Sequence, residues 1–282
     1  MLPPKIHFHK WQGIGNDFVV LDLISHPLPP DFDFSAAALA LCERRLGVGA
    51  DGLLSLEPAV NDADLQMRMW NPDGSEDMCG NGLRCVAALA WAQEHVRNPQ
   101  FSVQTRAGNR DITVLGPHSL RAAMGAPIFE PSQVPIALPQ RSHAIDIEIR
   151  LADTTWRATA LSTGSTHTVV FLENPLCDAD FGKWSPLLEN HPLFPQRTSV
   201  MWAVAEGAGR FKIRIWERGV GETLACGTGA CAVAVAAQVS GRSGKNVAIE
   251  SRGGVLEVEW TRGEEILLTG SAHPVFQGVW NF

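Results

Sequence analysis

The chain predicts a mixed α/β (α+β) protein made of two homologous halves, each wrapping a sheet round one central helix. Three observations carry that reading. Four landmarks recur in the same order in both halves, offset by about 145 to 150 residues, far longer than a solenoid repeat. The segments around them alternate apolar and polar residues, as half-buried strands do. One run in each half is Ala-rich and apolar nearly all round, the pattern of a helix buried on every side.

Taken in order, Ile6 to Lys10 reads as a strand entering the turn Gln12–Asp17, and Phe18–Leu23 as a buried strand. Pro27, Pro29 and Pro30 mark a loop. Ser35 is positioned to cap a helix over Ala36–Arg45, with Gly47 ending it. Gly47–Gly52 is a glycine-rich turn before the short strand Leu53–Leu56. Strand Met67–Trp70, turn Asn71-Pro72-Asp73-Gly74 and Cys79-Gly80-Asn81-Gly82 follow, then a helix from about Gly82 to Glu94. Phe101–Thr105 and Asp111–Leu115 pair as a hairpin across Arg106–Asn109.

The second half repeats this plan. Ala160–His167 leads into the strand Thr168–Leu172. Asp178–Leu188 forms a short helix interrupted at Pro186. Strand Arg210–Trp216 precedes Glu217-Arg218-Gly219, Cys226-Gly227-Thr228-Gly229 and the helix Thr228–Val239. Val247–Ser251 and Val255–Trp260 form the closing hairpin. The expected boundaries are residues 1–125 for the first half, with the tail 272–282 packing on it, and 126–271 for the second.

Bulk properties exclude several function classes. At 282 residues the chain holds two ordinary cores. A formal charge of −7 without a basic patch argues against nucleic acid as a partner. No apolar run approaches the roughly 18 residues that span a bilayer, and Met1–Lys5 does not open a signal-peptide core. The six cysteines lack Cys-x-x-Cys spacing, so reduced thiols in the cytoplasm are expected.

The chemistry concentrates at Cys79 and Cys226. Each precedes a helix start, where unpaired N–H groups and a partial positive charge favour a thiolate. Flanking glycines let backbone amides converge on one spot, a cradle for a carboxylate. Two such mouths, one thiol each, suit inversion of a carbon next to that carboxylate: one sulfur removes a proton and the other returns one to the opposite face. No cofactor and no metal are required. Cys42, Cys85, Cys177 and Cys231 read as small core residues. Trp70 and Trp216 read as core or cleft walls, Asp51 as a turn former, and His7 and His9 as at most a weak metal pair.

These residues resemble the diaminopimelate epimerase family of cofactor-independent, two-cysteine racemases. The resemblance covers nearly the whole chain and is strongest at Gly15-Asn16-Asp17-Phe18, Gly47–Gly52, Asn71–Gly74, Cys79–Gly82, Glu217–Thr223 and Ala225–Gly229. It implies two pseudo-symmetric domains, each a mostly antiparallel, barrel-like sheet round a central helix, with the active site in the cleft between them. It further implies Cys79 and Cys226 as acid and base, and Gly80, Asn81, Gly227 and Thr228 as the cradle for the reacting carboxylate. Asn16 and Asn71 would contact substrate, Arg218 would pair with a substrate carboxylate, Glu217 would touch substrate and tune the thiols, and His167 would tune them too. A homodimer acting on a small amino acid is expected.

Two positions depart from the family pattern. Gly164-Ser165-Thr166-His167 stands where the family has Gly-Asn-Pro-His, and Thr198-Ser199 where it has Thr-Asn. Ser165 and Ser199 therefore replace asparagines that hold the far end of the substrate, and serine is shorter and lacks the amide's paired donor and acceptor. The leading expectation is interconversion of L,L- and meso-diaminopimelate, serving lysine and peptidoglycan precursor synthesis. Ser165 and Ser199 motivate an alternative, a racemase of another amino acid such as histidine or lysine. A reading from another class makes the two cysteines redox partners or zinc ligands.

Overall fold

The computed structural model describes residues 5–138 and 142–281. The opening residues 1–4, read above for a leader, and the last residue of the tail lie outside them. The chain divides into two compact units: Met1–Ala123 with Thr269–Phe282, and Met124–Leu268.

The first unit contains β1 (Ile6–Gly13), β2 (Asn16–Asp22), α1 (Phe34–Leu41), β3 (Gly52–Pro58), β4 (Leu65–Trp70), β5 (Glu76–Asp77), α2 (Gly80–Ala92), β6 (Gln100–Thr105), β7 (Gly108–Gly116) and β8 (Ser119–Ala123). β1·β2, β3·β4, β6·β7 and β7·β8 pair antiparallel, while β2·β3 and β4·β6 pair parallel. α2 packs against β1, β2, β3, β4 and β8, and every residue from Gly80 to Ala90 is buried. A second layer sets α1 on the other side: Ala37, Ala38 and Leu41 meet Val19, Leu21 and Leu53.

The second unit contains β9 (Ala144–Leu151), β10 (Thr154–Ser162), β11 (Thr166–Leu172), α3 (Asp178–Glu189), β12 (Ser199–Ala205), β13 (Arg210–Glu217), β14 (Gly221–Thr223), α4 (Gly227–Val239), β15 (Asn246–Ser251) and β16 (Gly254–Glu259). Its pairings repeat the same alternation: β10·β11, β12·β13 and β15·β16 antiparallel, β11·β12 and β13·β15 parallel. α4 packs against β10, β11, β12, β15 and β16. Phe181, Trp184 and Leu188 of α3 cover the outer side with Val170, Val200 and Trp202. β17 (Leu267–Ser271) leads into β18 (His273–Trp280), which returns to the first unit and pairs antiparallel with β1 from Ile6↔Trp280 to Gln12↔His273.

Each of these parallel pairings is spanned by a helix and each sequential antiparallel pairing by a turn or short loop, as chain connectivity demands, while β1·β18 joins the two ends of the chain. The expected architecture of mainly antiparallel strands round a central helix is what each unit shows.

Local boundaries differ from the sequence reading for identifiable reasons. Asp33, not Ser35, caps α1: its carboxylate accepts the Ala36 N–H at 2.9 Å. That helix stops at Leu41, whose carbonyl takes the Val48 and Gly49 N–H groups, so Gly47 lies in the following loop. α3 runs through Pro186, which lacks the N–H for its own helical bond but whose carbonyl accepts the Asn190 N–H at 3.2 Å and so continues the helix to its end. Cys177 is an exposed N-cap, its sulfur accepting the Asp180 N–H at 3.5 Å, rather than a core residue. Cys42, Cys85 and Cys231 are buried as core residues.

Candidate active site

α2 and α4 begin at Gly80 and Gly227, earlier than the apolar periodicity suggested. Cys79 and Cys226 are therefore themselves the N-cap residues. Both hold extended backbone, φ −137° and ψ 123° at Cys79 and φ −140° and ψ 113° at Cys226. Their carbonyls accept the first helical bonds, from Leu83 and Ala230, each at 2.9 Å.

The second glycine of each Cys-Gly-x-Gly motif has a packing reason. A methyl group on Gly82 would lie 3.0 Å from the Leu54 side chain on β3, and one on Gly229 would lie 2.6 Å from the Met201 sulfur on β12. These glycines seat the helix start against the neighbouring strand. The backbone-access argument made from sequence does not explain them.

In the first unit, Asn16 opens β2 directly after a two-residue turn in which Ile14 (φ 48°) and Gly15 (φ 86°) are both left-handed. Both residues of a type I′ hairpin turn take this conformation, which is unusual for isoleucine. The next residue, Asp17, fixes the corner. The buried Lys10 ammonium meets Asp17 Oδ2 at 2.6 Å and donates to the Gly49 carbonyl, Arg44 reaches Asp17 Oδ1 at 2.8 Å, and Asp51 accepts the Asp17 N–H at 3.1 Å. Burial alone would raise the Asp17 carboxyl, but Arg44 and Lys10 outweigh it and hold it at about 2. Asp51 thus ties the glycine-rich loop to the strand bearing Asn16.

Asn71 follows Trp70 in a tight turn. Its N–H donates to the Ser75 carbonyl at 2.8 Å and its amide to Ser75 Oγ at 3.1 Å. Trp70 is buried and stacks on Phe34 of α1 with centroids 4.4 Å apart. Cys79 is half-buried. Asn81 is buried, its Oδ1 accepting from Arg84 at 2.6 Å, so its side chain is committed within the helix and its backbone is what remains for a ligand.

In the second unit, the Cys226 sulfur accepts the Gly229 N–H and lies beside Thr228 Oγ1, both at 3.4 Å. The thiol is pushed well above its ordinary range, first by burial and then by the Glu217 carboxylate. The Thr228 hydroxyl and the Gly229 N–H pull the other way and are outweighed. The sequence reading expected the helix start to favour the thiolate; in the folded chain Cys226 is held as the protonated thiol. Glu217 accepts from the Thr223 hydroxyl at 2.6 Å, and Thr163 donates to the Thr228 carbonyl at 2.8 Å.

Ser199 is buried and Ser165 half-buried, and both hydroxyls have protein partners. Ser165 Oγ lies 3.0 Å from His167 Nε2, and Ser199 Oγ accepts the Arg218 N–H at 3.1 Å. The Arg218 guanidinium donates to the Gln196 carbonyl at 3.0 Å. His167 is fully buried; burial, then the positive charge of Arg218, lowers it to about 3, so its imidazole is neutral at ordinary pH.

Glu189 escaped the sequence reading. It lies at the end of α3, nearly fully buried, accepting the Trp216 indole N–H at 2.7 Å, the Gly219 N–H at 2.8 Å and Arg197 at 3.2 Å. Its signal was its position: it shares the helix face of Phe181, Ser185 and Leu188, where an apolar residue is the rule.

No group of three or more metal-ligating side chains occurs among the described residues, and no helix among them is long and apolar enough to cross a membrane.

The same fold occurs in solved structures of low sequence identity. A hydroxyproline epimerase from Agrobacterium vitis superposes with a TM-score of 0.67 over 99% of this chain and 93% of its own, at 15% identity. A phenazine biosynthesis protein of the PhzF family from Bacillus anthracis gives 0.67 over 99% of both chains. Sequence comparison is more specific. The profile of the diaminopimelate epimerase family matches residues 8–130 and 159–275. The diaminopimelate epimerase of Desulforudis audaxviator is 43% identical over 280 residues, 98% of this chain and 99% of that one, and the enzyme of Carboxydothermus hydrogenoformans is 39% identical over 274. The chain belongs to the diaminopimelate epimerase family.

Proposed function

We propose that this protein is a cofactor-independent isomerase that interconverts L,L- and meso-diaminopimelate, with Cys79 and Cys226 as the paired acid and base. The observation that carries the mechanism is the equivalence of the two cysteines: each is the N-cap of the buried central helix in its own unit, on the same strand–turn–helix path. The substrate carboxylate is received by the N–H groups that open α2 and α4, at Gly80, Asn81, Gly227 and Thr228. One thiolate takes the α-proton and the opposite thiol returns a proton to the other face, so the proton count is unchanged and the stereocentre inverts.

The electrostatics of the second unit support a protonated Cys226 at rest. Burial and Glu217 keep the Cys226 proton in place, so Cys226 is ready to serve as the acid whenever its partner thiol serves as the base. The neutral His167 adds no charge that would strip that proton. Asn16, Asn71 and Arg218 orient the substrate. The chain works in the cytoplasm as a homodimer; β18 exposes Val275, Phe276 and Val279 as a surface for a second copy, and sedimentation velocity tests that assembly.

The deciding experiment incubates the protein with L,L-diaminopimelate in deuterated water. Deuterium is expected at the α-carbon together with the meso product, and both are lost in Cys79→Ala and in Cys226→Ala. Inversion retained in either variant removes the two-thiol mechanism. A second reading, racemisation of another amino acid, draws on Ser165 and Ser199, whose hydroxyls are engaged with His167 and Arg218. Exchange into histidine or lysine, with none into diaminopimelate, would establish it instead.

A further inference from the structure

Trp70 and Trp216 occupy matching positions at the ends of β4 and β13, yet the two units secure them differently. In the first unit the outer helix offers Phe34, whose ring lies flat on Trp70 at 4.4 Å and 6°. In the second the outer helix offers a carboxylate. Glu189 is 5% exposed and spans three donors at once: the Trp216 indole, the Gly219 backbone N–H and the Arg197 guanidinium. Its own carbonyl accepts the Thr198 N–H at 3.2 Å.

The turn it grips is the one bearing Glu217 and Arg218. Gly219 has φ 77°, and the Arg197 guanidinium sits 3.5 Å from where a Gly219 side chain would begin, so Arg197 lies over the turn. Arg197 itself has φ 60°, a left-handed conformation uncommon outside glycine and asparagine. The turn is held on both sides of Arg218: at residue 219 by Glu189, and at the Arg218 N–H by Ser199. Pinning the backbone before substrate arrives leaves the turn that carries Arg218 little freedom to lose on binding.

We propose that Glu189 is a positioning residue for substrate recognition, acting through the Glu217–Gly219 turn; for its kinetic arm this rests on the epimerase reading. All three partners of the carboxylate are donors, two side chains and one backbone N–H, so the site requires a group that only accepts. A carboxylate meets that condition and a carboxamide does not, because its NH2 would face one of the donors. Trp216 is the donor that can be removed without touching the turn's backbone, since Phe keeps an aromatic six-membered ring and loses the N–H.

The test compares wild type, Glu189→Gln, Trp216→Phe and the double variant. Folding is monitored by circular dichroism, amide hydrogen exchange by mass spectrometry over residues 217–223, and kinetics with diaminopimelate. Glu189→Gln is expected to remain folded, to exchange faster over 217–223, and to raise KM by about tenfold with kcat changed far less, the signature of lost substrate orientation rather than lost chemistry. Trp216→Phe, by removing the clashing donor, is expected to restore both protection and KM in the double variant, a non-additive gain that a general loss of stability would not produce. Unchanged exchange and KM in a folded Glu189→Gln protein would overturn the proposal, as would additive losses in the double variant. Should Glu189→Gln fail to fold, the Trp216→Phe background supplies the comparison. If wild type does not turn over diaminopimelate, the epimerase reading falls, while the exchange arm still decides the role of Glu189 on the turn.

Discussion

His167 and Cys226 have opposite chemistry and one shared condition: burial holds both in the neutral form. For His167 the consequence is a stability that depends on pH with a definite sign. The unfolded chain takes up that proton near the ordinary value of 6.5, the folded chain only near 3. Between those values the unfolded state binds more protons, so stability rises with pH through the window and the contribution is flat above it. Denaturant unfolding of His167→Gln from pH 4 to 7 is expected to show a slope reduced by up to about 1.4 kcal/mol per pH unit relative to wild type. A parallel slope would mean that the imidazole takes up its proton in the fold as readily as in the unfolded chain. Cys226 behaves as the converse acid: its thiol stays protonated where an ordinary one ionises. Thiol alkylation at pH 8 should therefore leave Cys226 slower than the exposed Cys177, as peptide mapping would show.

At the scale of the element, the central helices explain why the motif is Cys-Gly-x-Gly and not merely Cys-Gly. The residue three beyond each cysteine faces a strand side chain at contact distance, Leu54 in one unit and Met201 in the other. Gly82→Val and Gly229→Val are expected to destabilise by about 1 to 3 kcal/mol each, the usual consequence of overpacking. Thermal unfolding measures this, with the larger effect expected at Gly229, where the approach to Met201 is closer. A neutral result at both would show that α2 and α4 can shift on their strands. The cap geometry follows from the same packing: because each helix starts at the first glycine, the cysteine is left in extended backbone with its sulfur at the helix mouth.

At the scale of the whole molecule, the first unit is discontinuous. β18 returns to cover β1, setting Gly278 so close to Phe8 that a methyl group there would lie 2.9 Å from the ring. Removing residues 273–282 is expected to leave Ile6 and Phe8 uncovered and to abolish cooperative unfolding of that unit while the second retains its own transition, a contrast visible by calorimetry. The two-thiol proposal carries a prediction at this scale as well. A dithiol oxidant such as diamide is expected to draw two electrons and two protons from Cys79 and Cys226, join them, and stop turnover, with dithiothreitol restoring it. Activity indifferent to oxidant would count against paired thiols.

The duplicated plan was legible from the chain alone because it is written in local terms. Strand alternation, Ala-rich helical runs, glycine turns and the two cysteines recur in order, and each depends on near neighbours. That is also why the family was readable, through stretches such as Gly15–Phe18 and Ala225–Gly229. What the tertiary structure decided depends on residues far apart. The protonated state of Cys226 follows from burial and from Glu217, which together outweigh the helix start that sequence reasoning relied upon. Ser165 and Ser199, set down from sequence as substrate contacts, have hydroxyls engaged with His167 and Arg218. Glu189 became visible only once α3 carried it beneath a turn thirty residues on. Local pattern determines which elements form and where the thiols sit along them; the proton each thiol holds is set by desolvation and charge, which exist only once the chain has closed around it.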